Sequence, residues 1–168
     1  KNNRVIIPPK YDAICDMFYL SKFAVVSLDG YYGFVGRDGK EVGKIIYDEV
    51  LPFKNGHAAV RRDGYWTFLN ENGHEVAKPV YDNVRNFDSF KIAFVIRNGK
   101  VGALSEKGEV IPAKYDVCRY LVPGKVIMFV DSKNLIGLYF VATKKFVKPR
   151  YKEIFDFVDG QANATTVK

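Results

Sequence analysis

Four aspartates recur at matched places, Asp12, Asp48, Asp82 and Asp116, each directly after a tyrosine (Tyr11, Tyr47, Tyr81, Tyr115). Stacked carboxylates suit calcium binding or acid–base work. A single catalytic centre needs only one copy, however. The favoured reading is structural: each Asp accepts hydrogen bonds from backbone N–H groups in the turn that follows it. His57 and His74 each lie beside a glycine-containing turn, with no second ligand at metal-binding spacing, and read as exposed loop residues. Cys15 and Cys118 have no CxxC partner and no companion histidine. They read as buried free thiols, in preference to zinc ligands or a disulfide. Gly30, Gly33 and Gly36 space as G-x-x-G-x-x-G, but on a hairpin that opens no helix, so they read as turn residues and not as a dinucleotide fingerprint. No Walker motif or G-x-S-x-G elbow is present. The expectation is a chain with no catalytic site, no metal and no cofactor.

The basic residues carry a second candidate chemistry. Lys44, Lys78 and Lys148 each lie three residues before an anchoring tyrosine, and Lys10, Lys114 and Arg150 lie one before. Arg61, Arg62, Arg97, Lys144 and Lys145 add local charge. Stacked, Lys44, Lys78 and Lys148 would form a positive stripe. With exposed Tyr31 and Tyr65 and the Arg61–Arg62 pair, it suits nucleic acid, through phosphate contacts and base stacking, or an acidic glycan or protein face. The favoured alternative is edge protection, in which lysines on strand edges resist sheet-to-sheet pairing.

These columns exist because the chain repeats. Tyr11, Tyr47, Tyr81, Tyr115 and Tyr151 recur every 34 to 36 residues, which marks a stacked array. In one copy, Ala58 to Val60 lead to Asp63-Gly64, Tyr65 to Leu69 follow, then Asn72-Gly73, then Glu75 to Val80 and the next tyrosine. Asp-Gly and Asn-Gly predict type I′ hairpins, since both central residues need positive φ. Asp29-Gly30 with Asp38-Gly39, and Asn98-Gly99 with Lys107-Gly108, punctuate the neighbouring copies alike. The fourth copy is worn, with Lys133-Asn134 and Thr143-Lys144. Alternation assigns Ala24/Val26, Ala58/Val60, Ala93/Val95 and Met128/Val130 to the core face of the first strand. It assigns Tyr32/Phe34, Trp66/Phe68, Val101/Ala103 and Ile136/Leu138 to that of the second. Apolar residues three and six beyond each tyrosine, such as Ile14/Met17 and Val50/Phe53, predict a 3₁₀ turn or irregular connector.

Hydrophobic residues make up 48% of the 168, enough for a packed core, and the aromatic share of 15% favours strands. A net charge of +7 favours an acidic partner without bearing on fold. No apolar run approaches the ~18 residues of a membrane-spanning helix, so no membrane insertion is expected. The predicted fold is all-β, about three short strands per repeat, stacked into an open twisted superhelix. The alternative is a closed β-propeller, for which this period is short. Residues 1–168 read as one array with partial repeats at both ends, a piece of a longer protein.

Gly-Tyr-Tyr-Gly-Phe-Val (Gly30 to Val35), Asp38-Gly39-Lys40-Glu41-Val42, Tyr47-Asp48, Phe53, Gly56 and Ala58-Ala59-Val60 resemble the bacterial WG repeat. Gly108 to Asp116 matches the middle of its pattern best. The resemblance covers nearly the whole chain, but departs at the name-giving dipeptide: Tyr32-Gly33, Trp66-Thr67, Val101-Gly102 and Ile136-Gly137 stand there. It implies no shared activity. It implies an interaction module in a bacterial protein, exported or cell-envelope in preference to cytoplasmic, whose partner is another protein or an envelope component, with nucleic acid the less favoured ligand.

Overall fold

The computed structural model describes residues 7–15, 22–155, 157 and 161–166; Met17 of the first connector lies outside them. Among the described residues every regular element is a strand. Two compact units divide the chain, Lys1–Lys91 and Ile92–Lys168.

The first unit opens with β1 (Ala13–Cys15), β2 (Phe23–Leu28), β3 (Tyr31–Gly36) and β4 (Glu41–Tyr47), an antiparallel sheet in chain order. Its second sheet is β5 (Glu49–Val50), β6 (His57–Arg62) and β7 (Tyr65–Asn70), and β8 (Asn83–Val84) follows. In the second unit β9 (Ile92–Arg97), β10 (Lys100–Ser105) and β11 (Gly108–Tyr115) pair in order. A last sheet runs β12 (Val117–Val122), β13 (Val126–Val130), β14 (Ile136–Phe140), β15 (Lys145–Ile154) and β16 (Ala164–Thr166). The all-β repeat is as the sequence predicts. The segment after each Tyr-Asp holds no 3₁₀ turn among the described residues: its first residues form the short strands β1, β5 and β8 and the longer β12, and the irregular connector expected there follows β5 and β8.

The first hairpin of each early repeat is the predicted type I′ turn: φ is 53° and 80° at Asp29-Gly30, 53° and 82° at Asp63-Gly64, and 51° and 70° at Asn98-Gly99. The second turn differs. Only its glycine has positive φ at Asp38-Gly39 and Asn72-Gly73, and the Gly39 and Gly73 N–H groups donate three residues back to Gly36 and Asn70. That is a type I turn followed by a left-handed residue. In the worn copy Lys144 takes that place, at φ 56°.

Each unit packs two of its sheets face to face. Val25, Phe34 and Tyr47 of the first sheet meet Ala58, Val60 and Leu69 of the second, with Phe53 between. Ala103, Ile111 and Tyr115 meet Ile127, Phe129 and Tyr139 in the second unit. Three assignments from alternation change here. β2 and β6 are buried on both faces, Val25 and Ala59 included; in β2, Val25 faces the second sheet while Ala24 and Val26 pack with Val35 and Ile45 against Ile7 and Tyr11. In the fourth copy Ile127/Phe129, and not Met128/Val130, join the core between sheets. Its longer turn, bonded from Asp131 to Leu135, slips the register by one residue, and a one-residue slip exchanges faces. Finally Tyr32 is 37% exposed, and Trp66, Val101 and Ile136 are half-buried. They sit at the rim of the sheets, beside the hairpin tips, where one side of a large ring stays wet.

The glycine beside that rim has a structural task unrelated to a turn. Across from Gly33 the register jumps, Tyr32 facing Tyr47 but Phe34 facing Val42, so residues 43–46 bulge over the glycine. A Cβ at Gly33 would lie 2.8 Å from Ile45 Cγ1; at Gly102 it would lie 2.5 Å from the Ile111 carbonyl and 2.6 Å from the Ala113 nitrogen.

Candidate functional site

Hairpin geometry places Tyr31 and Tyr65 alike. Each follows its type I′ turn as the first residue of a strand, and they are 49% and 47% exposed. Arg62 is the cross-strand neighbour of Tyr65, and Arg61 of Trp66. This brings Tyr65, Arg61 and Arg62 together at one tip; Tyr31 occupies the tip of the preceding sheet. Both arginines are already partnered. Arg62 Nη1 lies 3.0 Å from Glu75 Oε1, and Arg61 Nη1 lies 3.5 Å from Glu49 Oε2.

Lys44, Lys78 and Lys148 are exposed and lie on the third segment of their repeats, Lys44 and Lys148 within the register jumps opposite Gly33 and Gly137 and Lys78 between two isolated bridges opposite Thr67. Lys44, on the bulged edge strand β4, has the arrangement that blocks edge-to-edge pairing. The residues one before the tyrosines have a different task. Lys10 Nζ, Lys114 Nζ and the Arg150 guanidinium sit 5.3, 5.6 and 5.1 Å from the rings of Tyr11, Tyr115 and Tyr151, within cation–π range. Lys10 also meets Glu41 at 2.7 Å, and this hydrogen bond raises its proton affinity.

The aspartate column is not uniform. Asp12 Oδ2 accepts from the Asp29 N–H at 2.7 Å, but that N–H belongs to the hairpin tip 17 residues on and not to the adjacent turn. Asp116 is ion-paired with Lys100. The Asp48 carboxylate makes neither bond among the described residues; its backbone N–H donates to the Arg61 carbonyl. His57, expected in an exposed loop, is buried as the first residue of β6 and stacks on Phe87 at 4.1 Å, while His74 is exposed. Both thiols are free; Cys15 is exposed, contrary to expectation, because its strand lies at a sheet edge. Cys118 faces the core, and burial pushes its thiol up to about 12. Among the described residues no group of three His, Cys, Asp or Glu is placed to hold a metal ion.

Sequence reasoning missed two hollows. One, of about 590 Å³, is lined by Val122, Lys125, Val126, Phe140, Thr143 and Phe157. The other, of about 370 Å³, opens between the first two sheets, lined by Val25, Tyr32, Val50 and Pro52 with Asp48 and Glu49, and reached by Cys15. The second lies beside the name-giving position, and the Tyr-Asp motif supplies one of its acids. That motif was visible; the cavity depends on which side chains are short.

Solved structures of Hsv2p from Kluyveromyces lactis (18% identity, TM-score 0.41, covering 77% of this chain and 49% of that one), of the computationally designed Ika8 protein (10%, 0.38, 92% and 58%) and of the N-terminal domain of Nup159 (8%, 0.36, 95% and 45%) are similar to this chain. The chain spans about half the length of these structures. No curated protein matches the sequence. The family model of the WG containing repeat matches three consecutive stretches, residues 1–32, 32–66 and 66–100, more than half of the chain. With the same hairpin-and-bulge unit seen in the sheets, this chain belongs to the WG containing repeat family.

Proposed function

We propose that the chain is a non-enzymatic interaction module of a larger bacterial protein, holding a protein or cell-envelope ligand on its hairpin tips. The observation that carries this reading is the repeated exposure of Tyr31 and Tyr65 at equivalent tips, the second flanked by arginines that carboxylates already neutralise. Tyr and Arg are the residues enriched at protein-binding hot spots. Burial in the core between sheets raises Tyr47, Tyr115 and Cys118, which leaves them as packing groups in this reading. Exposed Lys44, Lys78 and Lys148 favour the second reading, a polyanion ligand.

The test is retention on immobilised protein from bacterial lysate and envelope fractions, washed at low and then high salt. The module reading expects a defined protein that survives high salt and is lost with Tyr31→Ala/Tyr65→Ala. Nucleic acid or acidic glycan retained at low salt only, and lost with Lys44→Ala/Lys78→Ala/Lys148→Ala, would replace it with the polyanion reading.

A further inference from the structure

The hollow beside Tyr32 has a counterpart in the second unit, and there the chain fills it by itself. Register makes the two places equivalent: Tyr32 pairs with Tyr47 in the first sheet, as Val101 pairs with Tyr115 in the third. Asp48 therefore corresponds to Asp116, Tyr31 to Lys100, Val25 to Phe94, and Pro52 to Tyr120. In the second unit the Phe94 and Tyr120 rings meet edge-on at 5.4 Å, and the Lys100 ammonium lies on the Asp116 carboxylate. In the first unit Val25 and Pro52 are too short to meet, Tyr31 brings no charge, and Asp48 has no side-chain partner among the described residues.

We infer that the 370 Å³ hollow is a receptor for one lysine or arginine side chain of a protein partner. Val25, Val50 and Pro52 would cover the aliphatic stem, the Tyr32 ring would flank it, and Asp48 with Glu49 would take the cationic head. Long cationic side chains bind in this way, stem on apolar surface and head on a carboxylate. Lys100 shows the ammonium that fits this carboxylate position, supplied within the chain. Glu49 already shares its charge with Arg61 at 3.5 Å, so Asp48 is the acid left for a guest. The net charge of +7 opposes long-range attraction of a basic partner, so recognition rests on the contact itself and not on steering. The partner in this inference is the one of the module reading; the cation site has its own test.

The test is amide chemical-shift mapping on the whole chain with n-butylammonium, and with n-butanol as the neutral control. Shifts confined to Cys15, Tyr32 and residues 48–51, with the ammonium only, are expected. Asp48→Asn should weaken that response by about tenfold or more, a loss of one charge-assisted hydrogen bond. Tyr31→Lys, which installs the equivalent of Lys100, should do the same by self-occupancy. An equal response to n-butanol, or an unchanged response in Asp48→Asn with folding intact by circular dichroism, would overturn the cation site. Neither result bears on the tyrosine tips, which the salt-wash experiment reads separately. Ammonium binding that depends on Asp48, with no protein retained on the tips, would leave the site standing and overturn the module reading.

Discussion

The first and second sheets answer one question in two ways: what holds the third segment of a repeat onto the second strand. Over Gly33 the bulge of β4 approaches the backbone of β3 directly, and Glu41–Tyr47 is a continuous strand. In the next repeat Thr67 stands at the glycine position. Residues 75–81 keep the same end pairings, Leu69 with Glu75 and Trp66 with Tyr81, but form only isolated bridges. Proline is not the cause, since Pro112 and Pro149 lie inside β11 and β15 opposite Gly102 and Gly137. The added side chain is. It denies the bulge its close approach and replaces it with hooks: Thr67 Oγ1 donates to the Ala77 carbonyl at 2.6 Å, Glu75 pairs with Arg62, and the Tyr47 hydroxyl donates to Glu75 at 3.3 Å. A single Cβ thus decides whether a segment is held by backbone approach or by side chains.

The largest break of this comparison is Gly102→Ala. Its Cβ would meet backbone atoms of Ile111 and Ala113 at 2.5 and 2.6 Å, with no flexible end to yield. It should cost about 3 kcal/mol or more in chemical denaturation. A cost below about 1 kcal/mol would show that the bulge tolerates a side chain and that Thr67 is not what dissolved the strand. In the second sheet, Thr67→Val keeps the volume and leaves the Ala77 carbonyl unpaired. About 1–2 kcal/mol should be lost, read from the same denaturant midpoint.

Tyr47→Phe removes the hook to Glu75, and about 1 kcal/mol at neutral pH. Its pH signature has a definite sign. Burial, then the charge of Glu75, hold the Tyr47 hydroxyl protonated well above its ordinary value of 10.0. The resulting stability is full below that ordinary value and is lost as pH rises past it toward the folded-state value. Stability should therefore fall above about pH 10, more shallowly in Tyr47→Phe than in the parent. Parallel curves would show that this phenol is not coupled to folding.

The smallest effect is a gain. Lys144 holds the left-handed conformation that Gly39 and Gly73 hold in the early repeats. Lys144→Gly should raise stability by about 0.5–1 kcal/mol in thermal or chemical unfolding, because the Cβ penalty there exceeds the entropy glycine loses. No gain would mean that the lysine stem recovers the strain by packing.

Much of the fold was legible because its determinants are local. Asp29-Gly30 and Asp63-Gly64 name their own turn, and the recurring tyrosine sets the period. The exposure of Tyr31 and Tyr65 follows from their place after a two-residue turn. The rest needed neighbours. Trp66 and Tyr32 alternate correctly for a core position, yet the sheet ends beside them. His57 has the context of a loop and the environment of a core, because Phe87 comes to it from far along the chain. The Asp column looks like one motif, but Asp12 caps a turn, Asp116 takes a lysine and Asp48 borders a hollow.

The sequence by itself determined the repeat, the strand order within each copy and the family, since each follows from turn chemistry, period and alternation over a few residues. Only the tertiary structure decided which faces are buried on both sides, what each repeated aspartate does and where a cavity opens. Those depend on the volumes that neighbouring sheets bring together. Val25 and Pro52 leave open the place that Phe94 and Tyr120 close, and no pattern within one strand records that difference.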